Sequence, residues 1–226
     1  MFLAIGYGQA FDMFYKGVIP FGIDEEQALV AYKKFDEILP GFKGMVEETF
    51  AHLRKYGWTA TIFKQKRRFP GYIEKYKRLC QLMRKCGIVD KNDPELGKKT
   101  NRLPWKDRSE FWELMRFTGG CERAAFNHTI QGSGANILQL CMIRVYYECV
   151  LGKSWEFSLT LHDELKTAIP DDQLTEEAPK LFDDIMTNTF HLVLPLDCDT
   201  VIETEWMAEY SASKWDFENN KPKEAI

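Results

Sequence analysis

Three adjacent polar residues, His162, Asp163 and Glu164, stand between two strand-like runs of apolar residues. A turn at this position would expose their side chains to solvent and to a ligand. Carboxylate oxygens are the ligands that Mg²⁺ prefers, and the ion keeps bound waters that substrate phosphates can replace. The residues therefore indicate a candidate magnesium site in which Asp163 binds the ion and Glu164 supports it from the outer shell. An ordinary polar turn would have the same composition, so both interpretations stay open at this point.

A second set of polar residues recurs every four positions, at Arg123, Asn127 and Gln131. This spacing places the three side chains on one face of a helix. Such side chains can reach the minor-groove acceptors that all correct base pairs share, and so can check pairing without reading sequence. A helix whose polar face satisfies neighbouring backbone groups would have the same pattern, so the spacing alone does not decide the role.

The first half of the chain predicts two amphipathic helices followed by a strand. Asp24 provides an N-cap for the first helix, which ends at a Pro-Gly pair. The second helix covers 43–56 and ends before Gly57, and a short strand follows at 58–63. Residues 71–118 show no sustained period, which predicts an insertion with short helices.

The second half predicts the elements that would hold both candidate sites. Apolar residues at helical spacing over 120–151 predict one long helix, or two nearly collinear helices, carrying the arginine, asparagine and glutamine. Residues 155–169 predict a β-hairpin with the three polar residues at its tip. A helix at 173–191 and a strand at 199–204 follow. Helices with a late antiparallel hairpin indicate an α+β fold.

The composition excludes several classes of protein. The 226 residues are 45% hydrophobic and 14% aromatic, which excludes a disordered or low-complexity chain. No apolar run approaches the roughly 18 residues of a membrane span, and no signal-peptide pattern is present, so we expect an intracellular, cytoplasmic protein without a membrane partner. Six dispersed cysteines without a C-x-x-C pair, and only four histidines, argue against a disulfide scaffold or a zinc site.

The net charge of −4 hides a strong asymmetry along the chain. Residues 64–108 carry fifteen Lys and Arg against five Asp and Glu, which is a local charge of +10, and the remaining residues carry −14. A basic block inside an acidic protein is typical of a phosphate-binding surface. A solvated, partly helical insertion is the alternative interpretation.

Five sequence blocks occur in an order that closely resembles the C-terminal portion of family A, or Pol I-like, DNA polymerases. The blocks are G-Y-G-Q, T-I-F-K-Q-K-R-R-F-P, E-R-A-A-F-N-x-x-I-Q-G-S-G-A-N, L-T-L-H-D-E-L and the acidic P-L-x-x-x-T-x-I-E-T-E-W. The resemblance implies a polymerase palm, with an antiparallel sheet packed on long helices, and the C-terminal part of a helical fingers subdomain. It also implies DNA-directed DNA polymerase activity in DNA replication.

The same resemblance implies a division of the chain into four parts. Residues 1–56 would be a partial, helical fingers subdomain, and 57–70 a strand and basic turn. Residues 71–118 would be a basic insertion, longer than is typical of the family. Residues 119–226 would be the palm, with the catalytic hairpin at 155–169.

The resemblance implies catalytic roles for the residues of the hairpin tip. Asp163 matches the metal-associated aspartate of the family's motif C, and Glu164 is its adjacent carboxylate. His162 matches the residue beside the primer terminus. The implied cofactor is Mg²⁺, and the implied substrates are primer-template DNA and a dNTP.

The resemblance assigns DNA-binding roles to two further groups of residues. Arg123, Asn127 and Gln131 match residues that contact the primer-template minor groove. Lys66 and Arg67 match part of a basic turn near the DNA backbone, although the family's G-R-R-R is K-Q-K-R here.

The start of the chain matches the end of the family's motif B. Tyr7 and Gly8 match the Tyr-Gly pair at the end of this motif, in which the tyrosine lies against the templating base position. The position that packs near the incoming sugar, typically aromatic in the family, corresponds to Leu3, or to Phe2 after a one-residue shift. Met1 would fall inside the fingers helix.

The largest departure from the family is the lack of an upstream D-[YF]-S-x-[IL]-E segment. Family A polymerases hold two metal ions between that aspartate and the motif C aspartate, so we expect another chain to complete the two-metal site. The implied protein is one subunit of a split polymerase with a second polypeptide as partner. Its gene would be interrupted by an intron or intein, or would belong to a virus that encodes the polymerase in parts and acts in the host cytoplasm. The alternatives are a catalytically silent DNA-binding accessory subunit with a palm-like fold and a degenerate fragment without function.

Overall fold

The structure is a computed structural model that describes residues 11–205 and 208–223. Its mixture of helices and small antiparallel sheets confirms the predicted α+β class. The helices are α1 (Phe11–Val18), α2 (Glu25–Ile38), α3 (Phe42–Tyr56), α4 (Tyr72–Lys85), α5 (Leu96–Thr100), α6 (Trp105–Val145), α7 (Leu151–Lys153) and α8 (Glu177–Asn188). The strands are β1 (Trp58–Ala60), β2 (Lys66–Arg68), β3 (Glu156–Leu161), β4 (Glu164–Ala168), β5 (Val201–Glu203), β6 (Glu209–Ser211), β7 (Trp215–Asp216) and β8 (Lys221–Pro222).

The chain divides into two compact units, 1–132 and 133–226. Within the described residues, each strand pairs only with its neighbour in sequence, which gives four two-stranded antiparallel sheets. No helix of the described ranges is both long enough and apolar enough to cross a bilayer. The assignment of fingers, insertion and palm to parts of the chain stays a prediction.

Local sequence signals account for α2 and α3, and both predicted helices are confirmed. Asp24 Oδ1 accepts a hydrogen bond from Gln27 N at 2.8 Å, and Gln27 Oε1 accepts one from Asp24 N at 3.3 Å. This reciprocal capping box satisfies two backbone donors at the start of α2. Gly57 ends α3 in the left-handed region, with a φ of 70°, where a glycine has no steric penalty.

The strand predicted at 58–63 ends earlier than expected. Only Trp58–Ala60 pairs, with Lys66–Arg68 as the partner strand. Thr61 N donates to Gln65 O at 3.0 Å, and Lys64 lies in the left-handed region with a φ of 63°. The basic residues therefore form the second strand of a tight hairpin rather than a loop after an isolated strand.

Helix α6 begins at Trp105 rather than near residue 120, so the end of the predicted insertion is the start of the long helix. Its buried side includes Phe111 and Leu114, which pack with Leu79 and Leu82 of α4. Burying a large apolar side chain contributes about 1.5–3 kcal/mol, whereas a helical glycine costs about 1 kcal/mol relative to alanine. Packing therefore outweighs the cost of the two glycines, Gly119 and Gly120, that lie within the helix.

The second unit has its core around the end of α6. Cys141, Val145 and Cys149 pack with Trp155 and with Leu165 of β4. Helix α8 covers the same core and is shorter than the predicted 173–191. A π-helical turn at 146–150 joins α6 to α7. The result is a hairpin packed on helices, which is the arrangement that the resemblance implied for this part of the chain.

Candidate active site and nucleic-acid interface

The tip of the β3–β4 hairpin presents the candidate metal ligands to solvent. Leu161 pairs with Glu164, which leaves His162 and Asp163 as a two-residue loop. The prediction of a three-residue tip is therefore wrong, because Glu164 is already the first residue of β4. His162 has a φ of 55°, as the first residue of a tight hairpin turn often requires. The sequence patterns predicted the hairpin, but the loop length depends on pairing that they do not resolve.

Asp163 and Glu164 have exposed side chains with oxygen atoms available to a ligand. Within the described residues, Asp163 has no side-chain partner, so no contact competes with a cation for its carboxylate. Hard oxygen donors of this kind fit Mg²⁺, which commonly takes one or two protein carboxylates together with water and substrate phosphates. No group of three or more metal-ligating side chains occurs in the described ranges. The two carboxylates could therefore supply one or two oxygen ligands to Mg²⁺.

A neighbouring ion pair connects the hairpin to the next sheet. Lys166 Nζ lies 2.5 Å from Glu203 Oε2 of β5, and this contact raises the pKa of Lys166 above its ordinary value. Because side chains two residues apart share one face of a strand, Lys166 and Glu164 project on the same side of β4. The ion pair thus anchors the strand that carries the second carboxylate.

The second candidate set lies on α6, in the first unit. Asn127 Nδ2 donates a hydrogen bond to Gln131 Oε1 at 2.8 Å, so the structure brings these two amides together. Arg123 lies one helical turn before Asn127 and is exposed. The three residues share one helix face, as their spacing predicted. An arginine and two amides on one face can donate hydrogen bonds to acceptors spaced along a groove.

Glu122, next to Arg123, is the residue whose importance the sequence patterns did not reveal. Its side chain is only 8% exposed and accepts hydrogen bonds from three directions. Arg54 Nη2 lies 3.0 Å from Oε1, the hydroxyl of Tyr72 lies 2.9 Å from Oε1, and Lys91 Nζ lies 2.9 Å from Oε2. Glu122 therefore links α3, α4 and the segment after α4 to the helix that carries Arg123.

The buried Glu122 cluster also changes the acidity of its neighbours. Burial and the adjacent Glu122 carboxylate raise the pKa of Tyr72, so its hydroxyl stays protonated and can donate to Glu122. One sequence signal could have identified Glu122: it is a carboxylate on the side of the helix that apolar periodicity predicts to be buried. Two cations, Arg54 and Lys91, compensate its charge.

The basic turn packs against the same helix. Thr59 Oγ1 of β1 lies 3.0 Å from Thr129 Oγ1, and the Gln65 carbonyl lies 3.2 Å from His128 Nε2. A Cβ at Gly132 would lie 2.8 Å from His128 Nδ1 and 2.9 Å from a methyl group of Thr61, so any larger residue would force one of these side chains to shift. The β1–β2 hairpin is thus fixed within about one helical turn of the Asn127–Gln131 pair.

The basic side chains of this hairpin face solvent. Lys66, Arg67 and Arg68 are all exposed, and Lys66 Nζ lies 4.4 Å from the centre of the Trp58 ring. Exposed cations on a fixed backbone are available to phosphate groups. The predicted nucleotide- and template-binding residues Tyr7 and Gly8, and the sugar-adjacent candidates Leu3 and Phe2, lie outside the described residues.

The six cysteines are dispersed through both units and are free thiols. Cys141 and Cys149 are buried in the core of the second unit, and burial raises the pKa of each thiol. A thiol with a raised pKa is a poor nucleophile and a poor metal ligand at neutral pH. These two cysteines therefore act in packing.

Comparisons with known proteins agree on one family. The family model described as DNA polymerase family A matches residues 4–208. The chain is 22% identical over 187 residues to the thermostable DNA polymerase I of Thermus filiformis, a match that covers 82% of this chain and 18% of that protein. It is 26% identical over 186 residues to DNA polymerase I of Streptococcus pneumoniae, covering 82% of this chain and 17% of that protein. The chain thus spans less than a fifth of the length of these relatives.

A solved structure is similar in fold. It is described as the POL domain of Pol1 from M. smegmatis in complex with DNA primer-template and dNTP. The TM-score is 0.56 and the sequence identity 22%, and the match covers 86% of this chain and 27% of that one. At this identity the similarity establishes the fold of the matched part.

Proposed function

Because this chain belongs to DNA polymerase family A, we propose that it forms the C-terminal part of a DNA polymerase that adds dNTPs to a primer 3′-hydroxyl during DNA replication. The observation that carries the proposal is the exposed Asp163 at the tip of the β3–β4 hairpin, which has no side-chain partner among the described residues and lies within the residues that the family model matches. The proposal concerns these residues as one part of such an enzyme, since they span less than a fifth of the length of the relatives.

In this proposal the hairpin tip is the catalytic element. Asp163 binds Mg²⁺ directly, Glu164 supports the site from the first position of β4, and His162 lies beside the primer terminus. Mg²⁺, when bound, would activate the primer hydroxyl and neutralise charge on the triphosphate. The hairpin contributes the position of the carboxylates, which is set by the two-residue loop and by the Lys166–Glu203 ion pair.

Helix α6 and the basic turn hold the DNA. Arg123, Asn127 and Gln131 donate hydrogen bonds to the minor groove of the primer-template duplex, where the acceptors are common to all correct pairs. Lys66 and Arg67 contact backbone phosphates, which fixes the duplex without reading its sequence. The contacts of Thr59 and Gln65 with α6 support this division of roles, because they fix the cations and the polar face on one body.

We further propose that a second polypeptide completes the two-metal site, as in a split polymerase. Two observations support this requirement. The sequence contains no D-[YF]-S-x-[IL]-E segment, and the described residues contain no cluster of three metal-ligating side chains. Bridging two metal ions requires more carboxylates than the hairpin tip provides.

The test is Asp163→Asn in the enzyme completed with the missing part. The substitution is nearly isosteric, but it removes a negative charge from the site of a divalent ion. We expect primer extension to fall by roughly a thousandfold or more, because losing a direct metal ligand costs several kcal/mol of transition-state stabilisation and each 1.36 kcal/mol is tenfold in rate. Folding, partner assembly and DNA binding should persist, as measured by circular dichroism, co-purification and fluorescence anisotropy.

Glu164→Gln is the matched control, since it removes the same charge one residue away. Its effect should be milder if Glu164 only supports the site. An Asp163→Asn enzyme that retains more than about a tenth of the rate would overturn the metal assignment. It would favour the catalytically silent DNA-binding subunit as the function of this chain.

A further inference from the structure

The first five turns of α6 carry an exposed face that the proposed function does not use. Trp105, Trp112, Arg116 and Arg123 occur at i, i+7, i+11 and i+18. An α-helix has 3.6 residues per turn, so i+18 lies almost directly in line with i, and the two intermediate residues lie within about 20° of that line. These residues therefore form one stripe, which ends at the arginine proposed to contact the minor groove.

Burial confirms that this stripe faces solvent. The side chain of Trp105 is 75% exposed and that of Trp112 is 39% exposed, whereas Phe111 and Leu114 on the other side of the helix are buried. Arg116 is also exposed. Two exposed tryptophans along one side of a helix are unusual, because large aromatic side chains are normally highly buried unless they bind something.

The surroundings of the stripe are positively charged. The Arg108 guanidinium lies 5.4 Å from the centre of the Trp105 ring and is held there by a hydrogen bond from Nη1 to Asn101 Oδ1 at 3.0 Å. Arg102 and Lys106 are exposed beside them. The tryptophan therefore has a cation over its ring and further cations close by, an arrangement that suits a polyanion with flat bases.

The acidic residues of this part of α6 do not cancel that charge. Asp107 and Glu110 point away from the stripe and form ion pairs with Arg78 of α4, with N···O distances of 3.9 Å and 2.7 Å. Glu113 lies at the edge of the exposed side. Charge complementarity thus favours a negatively charged occupant over a neutral one, and the exposed tryptophan rings favour a nucleic acid over an acidic protein surface, because bases can stack on them.

We propose that this stripe binds the unpaired template strand that continues from the primer-template duplex, with Trp105 and Trp112 stacking on bases and Arg116 contacting phosphate. The proposal rests on the proposed function, because the stripe is continuous with Arg123. Unpaired bases are the specific occupant, since the bases of a duplex are stacked on one another and offer no free face. The two tryptophans are about 10 Å apart along the helix axis, so each would engage a different base.

The test measures binding of the full chain to three fluorescent DNAs: a single strand, a primer-template with a long 5′ overhang, and a blunt duplex. The variant is Trp105→Ala combined with Trp112→Ala, and the control is Tyr147→Ala, which removes an aromatic side chain that is 65% exposed elsewhere. We expect the double variant to bind the single strand and the overhang DNA roughly five- to a hundredfold more weakly, with blunt-duplex binding and the folded state retained. Tyr147→Ala should leave all three affinities unchanged.

Several outcomes would overturn the inference. An equal loss on the blunt duplex would mean that the tryptophans do not recognise unpaired bases. If the double variant bound all three DNAs with unchanged affinity, the stripe would not be a DNA-binding surface. The same conclusion would follow if the double variant lost binding to a partner polypeptide and kept binding to DNA. If the unaltered chain bound none of the DNAs, the proposed function would fail as well. If the unaltered chain bound the blunt duplex and replacing Arg123 weakened that binding, but replacing both tryptophans changed no affinity, only this inference would fail.

Discussion

The two candidate sites of this chain are built in opposite ways. Around Arg123 the helix is fixed by the buried side chain of Glu122, which is 8% exposed and accepts hydrogen bonds from three other side chains. Around Asp163 the structure is a two-stranded hairpin whose tip residues are all exposed. The first site is built on a buried ionic cluster, whereas the second consists of exposed residues at the end of a hairpin whose strands pack on the core of their own unit.

This difference matches the two roles in the proposed enzyme, which are binding of the duplex by α6 and binding of metal by the hairpin tip. Recognising a duplex by its minor groove needs a preorganised row of donors, which a buried ionic cluster beneath the helix can fix. A metal-binding carboxylate must instead remain accessible to ions, substrate and the ligands of a second polypeptide. We therefore expect the DNA-binding face to be complete in this chain, and the catalytic centre to form only on assembly.

The largest predicted effect on stability concerns the buried cluster. Glu122→Gln removes the negative charge that compensates Arg54 and Lys91, and places an amide donor against their donors. Breaking a buried ion pair in this way should lower the free energy of unfolding of the first unit by about 3 kcal/mol. Chemical denaturation followed by circular dichroism measures this change.

Glu110→Gln is the matched control for that variant. Glu110 also pairs with an arginine on α4, Arg78, but both side chains are 38% exposed. An exposed pair contributes about 0–1 kcal/mol, so this variant should be nearly neutral. Equal destabilisation by both substitutions would refute the idea that the helix is held by its buried carboxylate.

The next effect concerns the basic turn. Replacing Lys66, Arg67 and Arg68 with alanine should reduce affinity for duplex DNA roughly tenfold or more at low salt, because three exposed cations are lost. The slope of log affinity against log salt should also become shallower, by up to about 2–3 if each cation contacts a phosphate. Fluorescence anisotropy at several salt concentrations measures both quantities.

A second triple variant removes the same number of positive charges from another part of the chain. Lys16, Lys33 and Lys34 are exposed in α1 and α2, away from the basic turn in sequence, and their replacement with alanine should leave the slope unchanged. Similar slopes for the two variants would mean that net charge, and not the position of the turn, governs DNA binding.

The smallest effect concerns the hairpin tip. His162 has a φ of 55°, which costs a non-glycine residue roughly 1 kcal/mol, so His162→Gly should leave stability unchanged or raise it by up to about 1 kcal/mol. Thr160→Gly in the adjoining strand should instead lower stability by about 0.5–1 kcal/mol. Thermal unfolding compares the two variants.

The activity of the same variants separates function from folding. His162→Gly should slow primer extension by the completed enzyme, if the imidazole lies beside the primer terminus as proposed. A variant that is as stable as the unaltered protein and fully active would show that His162 is a turn residue without a catalytic role.

The sequence predicted the parts of this molecule that depend on local signals. The Asp24 capping box, the helix end at Gly57 and the hairpin around Asp163 all arise from residues that interact within a few positions of one another. The start of α6 at Trp105 was missed because the residues before 119 show no sustained apolar period, and packing against α4 is what makes 105–118 helical.

The candidate sites were predictable to a similar extent. The face shared by Asn127 and Gln131 followed from helical spacing, but the role of Glu122 did not, because its partners Arg54, Tyr72 and Lys91 lie far away in sequence. Tertiary contacts of this kind leave no periodic pattern in the sequence. The two-residue loop at the hairpin tip was likewise missed, since strand pairing sets its length.

Primer extension by reconstitution tests the central claim most directly. The assay compares this chain alone, a polypeptide carrying the upstream D-[YF]-S-x-[IL]-E segment alone, and the mixture, each with primed template, dNTPs and Mg²⁺. We predict extension only by the mixture, and its loss when the mixture contains Asp163→Asn. Extension by this chain alone, free of host polymerase, would contradict the account, because it would mean that these 226 residues already contain a complete catalytic centre.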